Sequence, residues 1–113
     1  MNSTALYIVV PCYNEQEVLN ETAIRLADKL ARMYSDGLCS DKSRILFVDD
    51  GSKDGTWDII CDLHNNYDCF CGLKLAHNRG HQNALWAGLM ASKEQADCII
   101  SIDADLQDDI EVL

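Results

Sequence analysis

The residues of this chain best suited to chemistry lie near its end, in "SIDADLQDD" (residues 101–109). Ser101, Asp103, Asp105, Asp108 and Asp109 carry side-chain oxygens and follow the apolar run "CIISI". So much negative charge directly behind a buried strand is either a solvated loop or a seat for something positive. Oxygen-only donors suit a hard cation such as Mg2+ or Mn2+, which commonly completes its octahedron with substrate phosphates. Asp103 and Asp105 can both turn toward one ligand where the chain leaves strict pleating, and Gln107 adds a neutral oxygen two residues on. Asp108 and Asp109 have a plainer reading, as acidic residues at the amide-rich start of a following helix.

Three further polar stretches stand out: "PCYNE", "VDDGSKDGT" and "HNRGHQ". In the first, Tyr13 can stack on a nucleobase and Glu15 can bond to it. Asn14 is expected to cap a helix, with Glu17 three residues on as its partner. In the second, Asp49 and Asp50 end an apolar run, and Gly51 and Gly55 permit a tight turn with positive φ. One of the two aspartates is expected to accept from a nucleobase N–H or from ribose hydroxyls, the other to be structural. Asp54 and Thr56 fit Asx-turn and helix-capping chemistry. His77, Arg79 and His81 are the cations of the third stretch and could meet phosphate or sugar hydroxyls. His64 is read as a surface residue.

These stretches must be positioned by the elements between them. "ALYIVV" (5–10), "RILFVDD" (44–50), "CFCGLKLA" (69–76) and "DCIISID" (97–103) read as strands, the third interrupted by Gly72. Leu19, Ala23, Leu26, Leu30 and Met33 recur at helical spacing toward Tyr34. A second helix is predicted from Thr56 to about Asn66 with Ile59, Ile60 and Leu63 inward, and a third in "NALWAGLMASKE". Strands alternating with helices, each strand a continuous apolar run, predict an α/β fold: an open, mainly parallel sheet with helices on both faces. All four polar stretches then fall at the carboxyl ends of strands, the edge where such sheets bind ligands.

With 113 residues the chain makes one domain at most, spanning 1–113, with a modest core. Nine basic against nineteen acidic residues, a formal charge of -10, argue against a nucleic-acid binder and against direct attachment to an anionic membrane. A phosphorylated small molecule stays possible, because a divalent metal inverts the local charge. The first residues lack the basic region of a secretory signal, and no apolar run approaches the ~20 residues of a membrane helix. Six cysteines without C-x-x-C spacing are read as reduced thiols of a cytoplasmic protein.

Taken together, "VVPCYNE", "FVDDGSKDGT", "NRGHQNALWAGL" and "IDADLQDD", in this order and spacing, resemble the nucleotide-binding half of family-2 glycosyltransferases. Within that family they look like the polyprenyl-phosphate hexosyltransferase branch, the dolichol-phosphate mannosyltransferases and undecaprenyl-phosphate glucosyltransferases. The resemblance covers essentially the whole chain. It implies the Rossmann-like nucleotide-binding half of a GT-A fold, a UDP- or GDP-sugar donor, Mg2+ or Mn2+, and a lipid-phosphate acceptor. Carried over by motif, Pro11, Tyr13 and Glu15 would surround the base, and Val48 and Asp50 would line the base and ribose pocket. Asp103, Ala104 and Asp105 would form the D-x-D motif. Asp105 with Gln107 would hold the metal on the diphosphate, and Asp103 would lie by the ribose or behind the metal ligands. The branch often has proline where this chain has Asp109.

A sheet ending at its fourth strand reads as truncated, so acceptor residues, catalytic base and membrane helices are expected outside these residues. The full-length protein is expected at the membrane with its catalytic domain facing the cytoplasm. This piece alone is expected to bind nucleotide weakly and not to turn over, and its cut sheet edge to favour self-association. Rival readings fit less well. A receiver-type phosphoacceptor domain needs its acidic pair after the first strand, and here the pair follows the second. A phosphohydrolase places D-x-D after an early strand. A dinucleotide-binding Rossmann domain needs G-x-G-x-x-G, which is missing. A non-catalytic nucleotide-binding module remains the alternative.

Overall fold

The computed structural model describes residues 3–104. Four strands, β1 (Leu6–Cys12), β2 (Arg44–Asp49), β3 (Phe70–Lys74) and β4 (Cys98–Ser101), alternate with helices α1 (Leu19–Ser35), α2 (Thr56–Asn66) and α3 (His81–Ser92). The strands form one sheet in the order β3-β2-β1-β4, with every pairing parallel. This is the predicted open α/β sheet. The described residues thus include neither Asp105 nor Gln107, nor Asp108 and Asp109, and expectations about those four lie outside them.

The burial pattern explains why β1 reads as an unbroken apolar run. Ile8, Val9 and Val10 are all fully buried, so both faces of the strand are covered. Ile8 and Val10 pack with Ile45 and Phe47 beneath α1 and α2, while Val9 packs with Leu46 and Val48 beneath α3. The expected stripe of α1 (Leu19, Ala23, Leu26, Leu30 and Met33) is buried along its length. In α2, Ile60 and Leu63 are buried and Ile59 packs half-buried against the same core. Helix α3 meets the sheet through its smallest residues, Ala84 and Gly88, and leaves Trp86 and Met90 outward.

Strands β3 and β4 are shorter than the sequence reading and α3 starts earlier, at His81; two further differences have identifiable physical reasons. The first strand runs past Val10 to include Pro11, although proline cannot donate to a ladder. Ile102 donates to the Val9 carbonyl on the β4 side, and Asp50 donates to the Cys12 carbonyl on the β2 side. By alternation the Pro11 nitrogen faces β4, beyond the last β1–β4 pair, Val9 with Ser101. The missing N–H therefore falls where the ladder ends.

The second difference corrects the expected capping box. Helix α1 begins at Leu19 after Val18, with no side-chain cap. Asn14 sits at φ 52 and is committed elsewhere: its N–H donates to Ser52 Oγ, and its Oδ1 accepts from the Lys53 N–H. A tertiary partner outcompeted the local cap.

Gly88 is where helix and sheet come closest, since a Cβ there would lie 2.5 Å from Val9 Cγ1 and 2.9 Å from Val48 Cγ2. Gly88→Ala should gain up to about 1 kcal/mol of helix propensity. It should lose about 1–3 kcal/mol to overpacking against two stiff β-branched side chains. Net destabilisation in urea unfolding is the expected outcome, and a stabilised variant would show that α3 can lift off the sheet.

Candidate functional site

The chain runs outward from β1 through β2 to β3, then returns to the other side of β1 to form β4, so the strand order reverses between β1 and β4. Open α/β sheets bind ligands at the carboxyl edge of such a reversal. A crevice of ≈ 440 Å³ lies there. The end of β1 contributes Pro11, Tyr13 and Glu15, the end of β2 contributes Asp50, and the chain beyond β4 contributes Asp103 and Ala104. These are residues expected from the motifs. Val48 is the exception: it is fully buried beneath α3 in the second core cluster and does not line the crevice. Two residues before Asp50 on an alternating strand, it shares that residue's face but lies further from the carboxyl edge, where α3 covers it.

Other lining residues were not singled out as site residues by sequence. Asn78, Gly80 and Ala84 border the crevice with His81, and the buried Cys12 closes its floor. The signal for the first group was the polar stretch after the third strand, read there for its charges. His81 does reach the site, with its Nε2 3.7 Å from Asp103 Oδ1 across the crevice. Arg79 contributes through its backbone, and His77 does not line the crevice.

The loop after β1 is built by being tied to the loop after β2. Thr56 Oγ1 accepts from the Glu15 N–H at 2.8 Å and donates to Asp54 Oδ1 at 2.5 Å. Asp54 also accepts from the Gln16 N–H, and Gln16 Oε1 accepts from the Gly55 N–H at 2.6 Å. Asp54 takes the Thr56 N–H as well, the Asx turn expected from the sequence. Slight desolvation acts to raise the Asp54 carboxyl, but the bonds from Thr56 and Gln16 outweigh it and hold it below its usual range. Glu15 thus enters the crevice on a loop whose Asn14, Glu15 and Gln16 N–H groups are already bonded to the loop after β2.

The aspartate pair divides as anticipated in position. Asp49 is fully buried, with Oδ1 accepting from the Ser52 N–H at 3.0 Å and Oδ2 without a hydrogen-bond partner. Asp50 lines the crevice yet is only 3% exposed, with Oδ1 accepting from the Arg79 N–H at 2.7 Å and Oδ2 from the Gly80 N–H at 3.1 Å.

The electrostatic character is one-sided. Glu15, Asp50 and Asp103 bring three carboxylates to the crevice, and among the described residues lining it there is no lysine or arginine. Burial first, then the Glu15 and Asp49 carboxylates, push the Cys12 thiol far above its ordinary range. Among the described residues no group of three or more His, Cys, Asp or Glu side chains is placed to hold a metal. A site completed by a bound ligand's own oxygens is compatible with that arrangement.

Two outcomes test this geometry. Thr56→Val keeps the shape but leaves the part-buried Glu15 N–H without its acceptor, and should cost about 1–3 kcal/mol in urea unfolding. Iodoacetamide at pH 8 should modify the exposed Cys98 of the folded chain and spare Cys12 until denaturant is added, because the thiolate is the nucleophile.

Comparison with known proteins agrees with the geometry. Residues 7–113 match the family described as Glycosyl transferase family 2. The chain is 53% identical over 108 residues to an uncharacterized glycosyltransferase, YkoT, of Bacillus subtilis (strain 168), covering 96% of this chain and 32% of that protein. It is 41% identical over 106 residues to a prophage bactoprenol glucosyl transferase homolog of Escherichia coli (strain K12), covering 94% and 32%. The chain therefore spans about a third of the length of these curated relatives. Its fold is similar, with a TM-score of 0.66 at 23% identity, to the mannosyltransferase PcManGT from Pyrobaculum calidifontis in complex with GDP-Man and Mn2+, covering 93% of this chain and 28% of that one. The sheet and its three helices are those of GT-A glycosyltransferases, and the chain belongs to glycosyltransferase family 2.

Proposed function

We propose that this chain forms the donor-binding part of an enzyme that transfers a hexose from a UDP- or GDP-sugar to a polyprenyl phosphate. The observation that carries the reading is the crevice at the strand reversal, lined by three carboxylates and, among its described residues, by no lysine or arginine. A nucleoside diphosphate cannot approach such a wall unless a divalent cation comes with it. Names of relatives support the lipid acceptor, since several are called bactoprenol glucosyl transferases. The GDP-Man and Mn2+ held by the similar structure support donor and metal.

Tyr13 and Glu15, on the loop tied down by Thr56, are assigned to the base, with Pro11 behind them. Asp50 forms the wall beside the ribose. Asp103, Ala104 and Asp105 form the metal-bearing edge, with Asp105 and Gln107 as ligands of Mg2+ or Mn2+ and Asp103 adjoining them. Oxygen donors alone fit these hard cations, and one or two carboxylates suffice when phosphates supply the rest. When bound, the cation neutralises charge developing on the departing nucleoside diphosphate. The chain's own residues bind and orient the donor so that its anomeric carbon faces the acceptor. The acceptor's contacts and the catalytic base are assigned to sequence outside this chain. We place the full-length protein at the membrane with this domain on the cytoplasmic side, although no helix among the described residues is long and apolar enough to cross a bilayer.

Calorimetric titration of the full-length polypeptide with UDP and with GDP, with and without Mn2+, tests the proposal. One nucleotide should bind in a metal-dependent way, and Asp105→Ala should weaken that binding by about a hundredfold or more, beyond what the loss of a supporting partner costs. Binding of neither nucleotide in the presence of Mn2+ would sink the reading.

A further inference from the structure

One polar residue interrupts the buried stripe of α1. Thr22 stands among Leu19, Ala23 and Leu26 at 1% exposure. Threonine is a weaker helix former than leucine or alanine, and burying its hydroxyl is costly unless the hydroxyl is bonded. A helical threonine ordinarily makes that bond to the carbonyl three or four residues back. Here the Val18 carbonyl accepts from the Thr22 N–H, while Thr22 Oγ1 donates to the Ala104 carbonyl, 82 residues away in sequence and 2.6 Å away in space. Ala104 is the centre of Asp103-Ala104-Asp105, at a point where the sheet has let go of the chain. The last bond to β1 on this side runs from the Ile102 N–H to the Val9 carbonyl, and Pro11 has no N–H to continue the ladder. Ile102 and Ala104 are buried in the cluster beneath α1 and α2, while Asp103 between them is half-buried in the crevice, its Oδ1 3.7 Å from His81 Nε2. The same end of α1 is tied to the loop after β1, since the Val18 and Leu19 N–H groups both donate to the Glu15 carbonyl, at 3.1 and 2.9 Å.

We infer that Thr22 is a positioning residue for the metal-bearing edge: from α1 it holds the Ala104 carbonyl, and so fixes the backbone between the two aspartates without itself touching nucleotide or metal. This role rests on the donor-binding reading above and deepens it. One helical turn then joins the loop assigned to the base, with Tyr13 and Glu15, to the turn assigned to the cation. A nucleoside diphosphate with its metal has to reach from the one to the other, and α1 sets that span before the ligand arrives.

The test is calorimetry on the full-length polypeptide, titrating whichever of UDP and GDP the wild type binds at graded Mn2+ concentrations. Thr22→Val keeps the shape of the side chain and removes its donor. The Mn2+ concentration that gives half-maximal nucleotide binding should rise by about tenfold, the lower end of what losing a partner behind the metal ligands costs. Thr22→Ser keeps the hydroxyl and should bring that concentration most of the way back. Urea unfolding of the same variants separates packing from positioning. A threonine that serves stability alone would lower the unfolding midpoint in Thr22→Val and leave the Mn2+ dependence unmoved, and that result overturns the inference while the donor site stands. A rise that Thr22→Ser fails to reverse overturns it as well. If Thr22→Val does not fold, Thr22→Cys, a weaker donor of similar size, takes its place; a smaller rise is then expected, and an unmoved Mn2+ dependence overturns the inference. Failure of the wild type to bind either nucleotide with Mn2+ sinks the functional reading and this inference with it.

Discussion

The reversal of strand order at β1 is the constraint on which everything else in this molecule depends. A parallel sheet that grew in one direction would close its carboxyl edge with successive loops and leave no gap. Because the fourth strand returns to the far side of the first, the loops on either side of that junction leave in different directions, and a crevice opens between them. Pro11 sharpens the opening. Its nitrogen has no hydrogen to continue the ladder, so the chain after Ile102, whose N–H makes the last bond to β1, is released just as it brings Asp103 to the edge. A residue that looks out of place in a central strand thereby marks the line between sheet and site.

The crevice walls are ordered before any ligand arrives, and mostly through backbone groups. The loop after β1 hangs on Thr56, Asp54 and Ser52, and the loop after β3 hangs on Asp50. All four anchors belong to the ends and connection of β2 and α2, so one segment holds the walls on both sides. This explains the density of small and acidic residues in "DDGSKDGT" without giving each a ligand. Glycine is needed where loops touch, and oxygen acceptors are needed where N–H groups would otherwise be orphaned.

Much of this was legible in the sequence. The apolar runs and the α1 stripe specify elements and faces, because burial of both sheet faces imposes them directly. Placing the polar stretches at one edge follows from the parallel topology. The individual roles were harder to read. Asn14 looked like a cap because local spacing favoured it, and only the fold reveals Ser52 and Lys53 as its partners. Val48 was expected to line the pocket only through the resemblance, and in the fold it lies further down β2 than Asp50, covered by α3. Asn78 and Gly80 escaped notice because their contribution is position rather than reactive chemistry. Pairings between residues 30 or 40 apart carry no local signature.

The pairing of β1 with β4 has a consequence for how the protein comes to exist. Leu6 lies beside Cys98, so the two walls of the crevice come from opposite ends of the described chain. During synthesis β1, β2 and β3 with their helices can assemble first, since each contact among them closes a shorter loop. Until residues 98–101 emerge, the outer edge of a fully apolar central strand has no partner. Such an edge is a template for pairing with another chain. The feature that opens the binding crevice therefore also makes it the last part of the sheet to close, and exposes the nascent chain to association for that interval.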